Sequence, residues 1–203
     1  MQPFLETTPA ASIVFVITLI LSFAALSAPA LMDRLILHPY SLLRERRYYT
    51  LITSGFIHAD AGHLLFNMLS FFFFAFALER IVGTAQFAIT YLVSLALSDI
   101  STIVKHKDNP NYRSLGASGA IAAVIFSFII YEPQTRISLF LIPIGVPAPI
   151  FAVLYVAYSY FSARRQYDNV NHEAHLFGAV SGVVLTLLLD PDAFAGFYTQ
   201  VFG

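Results

Sequence analysis

The chain has 203 residues, 58% of them hydrophobic and only 11% charged, with a formal net charge of −1. A soluble domain carries about a quarter charged residues because its surface faces water. With less than half that share, most of the outer surface is expected to face lipid, and the mean hydropathy of +0.72 agrees. Nothing in the charge points to a nucleic-acid partner. The absence of cysteine excludes disulfides, thiolate metal sites and a cysteine nucleophile.

A membrane-crossing helix needs about 20 mostly apolar residues. The first such stretch runs from Ala11 to Met32. It has no basic residue before it and is longer than a signal-peptide core, so it reads as a retained span. Asp33 to Arg47 mixes Arg34, Arg44, Arg46 and Arg47 with Leu35, Ile36, Leu37, Leu42 and Leu43, a pattern that suits an amphipathic segment lying in the interface. Further spans are expected near 62–80, which includes the run Phe71-Phe72-Phe73-Phe74, and near 84–104, 116–131, 150–163 and 173–189. The fifth is placed after Pro149 because Pro143, Pro147 and Pro149 interrupt the apolar run before it. The aromatic tail from Phe194 to Phe202 is expected at the interface. The fold class is therefore an all-α polytopic membrane protein of six transmembrane helices, forming a single membrane domain over residues 1–203.

The fourth span is short. Its residues 116–131 cover roughly 24 Å at about 1.5 Å each, against about 30 Å of hydrocarbon. Its start, Gly116-Ala117-Ser118-Gly119, is thus expected below the membrane surface, where non-helical backbone is tolerated only beside protein or a wet cavity.

Few polar side chains occur in the spans, and three groups stand out. Gly116-Ala117-Ser118-Gly119 sets a serine at a helix start, where free N–H groups and the positive dipole end suit a developing oxyanion. A packing patch of small residues would look the same. His175, Gly178 and Gly182 lie at i, i+3 and i+7 on one face of the sixth span, so that a second helix can come close beside the imidazole. His63 and Asn67 lie at i, i+4 on the second span. Both can donate hydrogen bonds, to an oxyanion or simply to a neighbouring helix. Taken together they supply the nucleophile, base and oxyanion donors of acyl transfer.

The ordered set His58, His63-x-x-x-Asn67, Glu79 with Gly83, Gly116-Ala117-Ser118-Gly119 and Ala174-His175-x-x-Gly178-x-x-x-Gly182 resembles the rhomboid intramembrane serine proteases, over about residues 11–190. The resemblance implies a six-helix rhomboid-like bundle in the cell (inner) membrane. It implies a Ser/His dyad without an acidic third member, acting on membrane-anchored substrates within or next to their transmembrane segment. Ser118 would be the nucleophile and His175 the general base and acid. Asn67, His63 and the Ser118 N–H would form the oxyanion site. His58, Gly116, Gly119, Gly178 and Gly182 would give structural support, and Glu79 would be structural. The implied partners are transmembrane protein substrates and the lipid bilayer, with no nucleic acid, no metal and no cofactor.

Three departures from the family pattern are visible. A Trp-Arg pair often precedes the histidine matching His58, and here that place reads Tyr49-Thr50, with Arg46 and Arg47 slightly earlier. Many members have an aromatic residue one turn after the serine, stacked on the histidine. Here it is Ala122, so something else must orient His175. Asp99, in the third span, could influence the dyad or simply be a helix-end residue in a wet cavity.

Arg34, Arg44, Arg46, Arg47, Lys105, Lys107, Arg113, Arg164 and Arg165 fall in loops one, three and five, with Arg80 and Arg136 opposite. Charge bias would put the richer side in the cytoplasm, whereas the resemblance implies a cytoplasmic amino terminus and an active-site mouth outside. Two other functions compete. A non-catalytic relative that binds membrane clients would typically lack the serine or the histidine. A metal enzyme using His58, His63, His172 and His175 lacks the i, i+4 pair of zinc-protease helices.

Overall fold

A computed structural model describes residues 4–139, 142–165 and 170–203. The amino-terminal turn α1 (Phe4–Thr7) leads into α2 (Pro9–Ser27), with Pro9 in the first turn, where its missing N–H costs nothing. Two N–H groups at the start of α2, Ala10 and Ala11, donate to the buried carboxylate of Glu79 at 3.0 and 2.6 Å. That carboxylate supplies both the acceptors and the negative charge a helix amino terminus favours. Glu79 belongs to α6 (Ala61–Val82), whose own start is capped by Asp60 accepting from the His63 N–H at 2.8 Å.

Between these spans lie three short helices, α3 (Pro29–Leu35), α4 (Pro39–Arg44) and α5 (Thr50–Thr53), followed by a tight turn over Ser54–Phe56. The segment expected at the interface is held by the third loop. Leu37 and Ser114 exchange both backbone bonds, at 3.1 and 2.9 Å. His38 Nε2 donates to the Pro110 carbonyl at 2.7 Å, and Arg44 reaches the Lys107 carbonyl and the Asp108 carboxylate at 2.7 and 3.0 Å.

The third span bends at Asp99 into α7 (Thr84–Ser98) and α8 (Ile100–His106). The fourth is α9 (Ser118–Tyr131), in which every residue from Gly119 to Ile130 is buried. A helix apolar on all sides belongs at the centre of a bundle, and α9 packs against α6, α7, α10 (Ala148–Arg165) and α11 (His172–Leu189). The outer helices turn apolar side chains outward, including Ile20 and Phe23 on α2, Phe73 on α6, Val153 on α10 and Leu188 on α11. The phenylalanine run divides by helical phase: Phe71 is fully buried against Phe87 and Tyr91, whereas Phe72 and Phe73 face outward.

Among the described residues, Pro9–Ser27, Ala61–Val82, Thr84–His106 and His172–Leu189 are long and apolar enough to cross a membrane, and Ser118–Tyr131 is a shorter apolar helix. The proline-interrupted stretch after α9 forms an antiparallel hairpin, β1 (Arg136–Leu139) with β2 (Ile142–Pro147), before α10 returns. The tail forms α12 (Ala193–Phe202). At this end, Tyr131 donates to Asp190 at 3.1 Å and accepts from Gln86 at 2.8 Å, joining the ends of α9 and α11 to the start of α7.

Candidate active site

The loop entering α9 is fixed at two points. Ser114 is tied to Leu37, and the Gly116 N–H donates to the Ser54 carbonyl at 2.9 Å. Gly116 has φ +112°, and a β-carbon there would lie 2.7 Å from His63 Cε1 and 2.8 Å from Nε2. Backbone conformation and the histidine ring therefore both demand glycine. Ser118 follows as the first residue of α9, half-buried, where the N–H groups of the first turn have no partner within the helix.

On α11, a β-carbon on Gly178 would collide with the Gly119 carbonyl oxygen, and one on Gly182 with that of Ala123. Further along, Thr186 donates to the Gly182 carbonyl at 2.8 Å, so its oxygen accepts from Ser127 of α9 at 2.7 Å. The two backbones are in contact at Gly119 and Gly178. Ser118 stands one residue from that contact and His175 one turn from it, and the Ala174 carbonyl lies 3.4 Å from the position of a Gly119 β-carbon. The His175 ring faces Tyr155 of α10 at a centroid distance of 6.3 Å and 29°, with His172 edge-on at 5.8 Å.

The start of α11 is held by Asn171. Its carbonyl oxygen accepts from the Ala174 N–H at 3.0 Å, and its amide donates to Thr102 of α8 at 2.7 Å and to Ser114 at 3.4 Å. Its backbone carbonyl accepts from His175 N–H. The asparagine before a helical run is the usual capping signal, and it was readable in the sequence. The contact that makes Asn171 a link among three elements was not.

On α6, Asn67 is buried, and among the described residues its side-chain N–H₂ has no hydrogen-bond partner. It lies 3.8 Å from the position a Gly116 β-carbon would take, on the same side as His63. A buried unpaired amide costs stability, and this one faces the loop that leads into α9. His58 is fully buried. Ser22 donates its only hydroxyl proton to the Phe56 carbonyl at 3.1 Å, so at 2.9 Å it accepts from His58 Nδ1–H. Burial, reinforced by the neighbouring His63 and opposed by Asp60, pushes the His58 pKa down to about 3, which keeps the ring neutral. The two rings meet edge to face at 4.9 Å.

The missing Trp-Arg pair has a local substitute. Arg47 donates to the Asp33 and Arg34 carbonyls, both at 2.9 Å, and the Tyr49 hydroxyl donates to Arg34 O at 3.1 Å, capping α3. Asp99 sits at the α7–α8 bend. The side chain facing α9 there is Ser98, which a Gly119 β-carbon would strike. Among the described residues, no group of three or more His, Cys, Asp and Glu is arranged to hold a metal ion.

A bundle of membrane-crossing helices around a short, buried central helix defines a polytopic membrane protein. The rhomboid domain model matches residues 45–191, and the chain belongs to the rhomboid family. It is similar to the rhomboid-family protein YdcA of Bacillus subtilis, 35% identical over 141 residues that cover 70% of this chain and 67% of that one. RHOMBOID-like protein 12, mitochondrial, of Arabidopsis thaliana is 28% identical over 157 residues, and Rhomboid protease GluP of Bacillus subtilis is 25% identical over 142. Each covers 70% of this chain, but only 46% and 26% of those relatives, so the chain spans less than half of their length. At the level of the family, the protein is an integral multi-pass membrane protein of the intramembrane-protease class.

Proposed function

We propose that the protein is an intramembrane serine endopeptidase in which Ser118 is the nucleophile and His175 its general base and acid. The observation that carries this reading is the backbone contact of Gly119 with Gly178, which brings the start of α9 and the His175 turn of α11 close together.

A membrane-anchored substrate, locally unwound, would offer a carbonyl carbon to Ser118 Oγ while His175 takes the hydroxyl proton. The negative charge forming on the carbonyl oxygen would rest on the Ser118 N–H, the Asn67 amide and His63. Preorganised donors of this kind act most strongly where water is scarce. His175 would return the proton to the leaving amine. Water, deprotonated by the same imidazole, would then release the acyl group and restore Ser118. The chemistry requires no metal and no cofactor.

The test is incubation of the protein, reconstituted in liposomes, with a panel of transmembrane substrates beside Ser118→Ala and His175→Ala. Cleavage by the wild type alone supports the assignment. Cleavage that survives Ser118→Ala removes the serine from it, and binding of the panel without cleavage by the wild type would favour a non-catalytic client-binding protein.

A further inference from the structure

We propose that Tyr155 of α10 is a positioning residue for His175, so that the helix carrying neither nucleophile nor base supplies the wall that orients the base. This rests on the reading of His175 as the general base.

One turn after Ser118, α9 offers only the buried methyl of Ala122, which cannot limit rotation of an imidazole on the facing helix. His175 is half-buried, and among the described residues its ring meets those of His172 and Tyr155. His172, one turn back on the same helix, presents at 82° and closes one side. Tyr155 lies nearly parallel to the imidazole, at 29° and 6.3 Å between centroids, and closes the broad face. Tyr155 is itself clamped. Phe126 of α9 meets it at 5.5 Å and 62°, and Phe151, one turn earlier on α10, at 5.9 Å and 37°. The tyrosine ring is thus referenced to α9, the helix that begins with Ser118, through Phe126 two turns further on. An aromatic wall restricts the second torsion of the histidine to ring planes roughly parallel to its own. It works through the ring face alone, without need of the hydroxyl.

The experiment compares wild type, Tyr155→Leu and Tyr155→Phe in two rates: labelling by a small fluorophosphonate, and cleavage of a transmembrane substrate. The aromatic contact is expected to be worth roughly a three- to tenfold change in rate. Tyr155→Leu should slow labelling and lower kcat by that factor, with KM unchanged, and Tyr155→Phe should recover both rates. A fluorophosphonate needs no docking along α10, so a purely structural or substrate-docking role would alter KM and leave labelling alone. Wild-type labelling by Tyr155→Leu, or equal slowing in Tyr155→Phe, overturns the proposal.

Should Tyr155→Leu not fold, ¹³C-labelled histidine in the wild type decides. The His175 ring signal, assigned by its loss in His175→Asn, should show a ring-current displacement kept in Tyr155→Phe. A His175 signal at its ordinary position overturns the proposal. Failure of the Ser/His reading shows differently, as wild-type labelling that persists in Ser118→Ala, while the ring-current result stands or falls alone.

Discussion

The carbonyl oxygen of Gly119 occupies the space a side chain on Gly178 would need, so α9 and α11 touch backbone to backbone. Gly178→Ala must push the two helices apart at the level of Ser118 and His175. Overpacking of this kind costs about 1–3 kcal/mol. We expect a lower thermal midpoint together with a fall of tenfold or more in fluorophosphonate labelling. Gly196→Ala on α12, where a β-carbon meets nothing within 4 Å, is the control and should change neither. Normal labelling in Gly178→Ala would show that the contact does not set the site.

Asn67 should separate catalysis from stability. Among the described residues its buried side-chain N–H₂ has no hydrogen-bond partner, so Asn67→Ala removes a destabilising group. If the amide meets the oxyanion, kcat should fall by about a hundredfold with KM little changed, and the thermal midpoint should stay level or rise. A variant that cleaves at the wild-type rate would exclude Asn67 from the oxyanion site.

Glu79 should behave in the opposite way. Its carboxylate holds the first turn of α2, far along α6 from His63. Glu79→Ala removes two charge-assisted hydrogen bonds, worth about 2 kcal/mol or more together. The expected result is a lower thermal midpoint with an unaltered kcat in the fraction that remains folded, measured by active-site titration.

His58 predicts an acid-side slope in stability. Its folded pKa, about 3, lies below the ordinary value of 6.5. The unfolded chain therefore binds a proton in a range where the folded chain does not. The stabilisation is complete above about pH 6.5 and is lost progressively as pH falls towards 3, at up to about 1.4 kcal/mol per pH unit. His58→Asn, which keeps a donor near Ser22 without a titrating ring, should flatten the thermal midpoint over this range. An unchanged slope would assign it to other groups.

Much of this was legible in the sequence because hydropathy runs and motif order are local properties. The fourth span reads as short in the sequence, and α9 runs only from Ser118 to Tyr131. The small-residue spacing of Gly178 and Gly182 announced a close helix approach, which is where α9 and α11 meet. What was hidden depends on contacts between distant segments. Pro143, Pro147 and Pro149 marked an interruption but could not say that a hairpin fills it. Ala122 showed that His175 lacked its expected neighbour, and only packing brings Tyr155 there. The arginines of the first loop were read as a topology signal. In the structure Arg44 and Arg47 also hold backbone carbonyls of loops one and three.

The paired anchors ahead of α9, Ser114 to Leu37 and Gly116 to Ser54, leave the chain no slack before the helix begins. Inserting one residue between Gly116 and Ser118 would turn the serine by about 100° around the helix axis and shift it by about 1.5 Å. The hydroxyl would then point at a different neighbour. The length of this short stretch is therefore as strictly set as the identity of any residue in it.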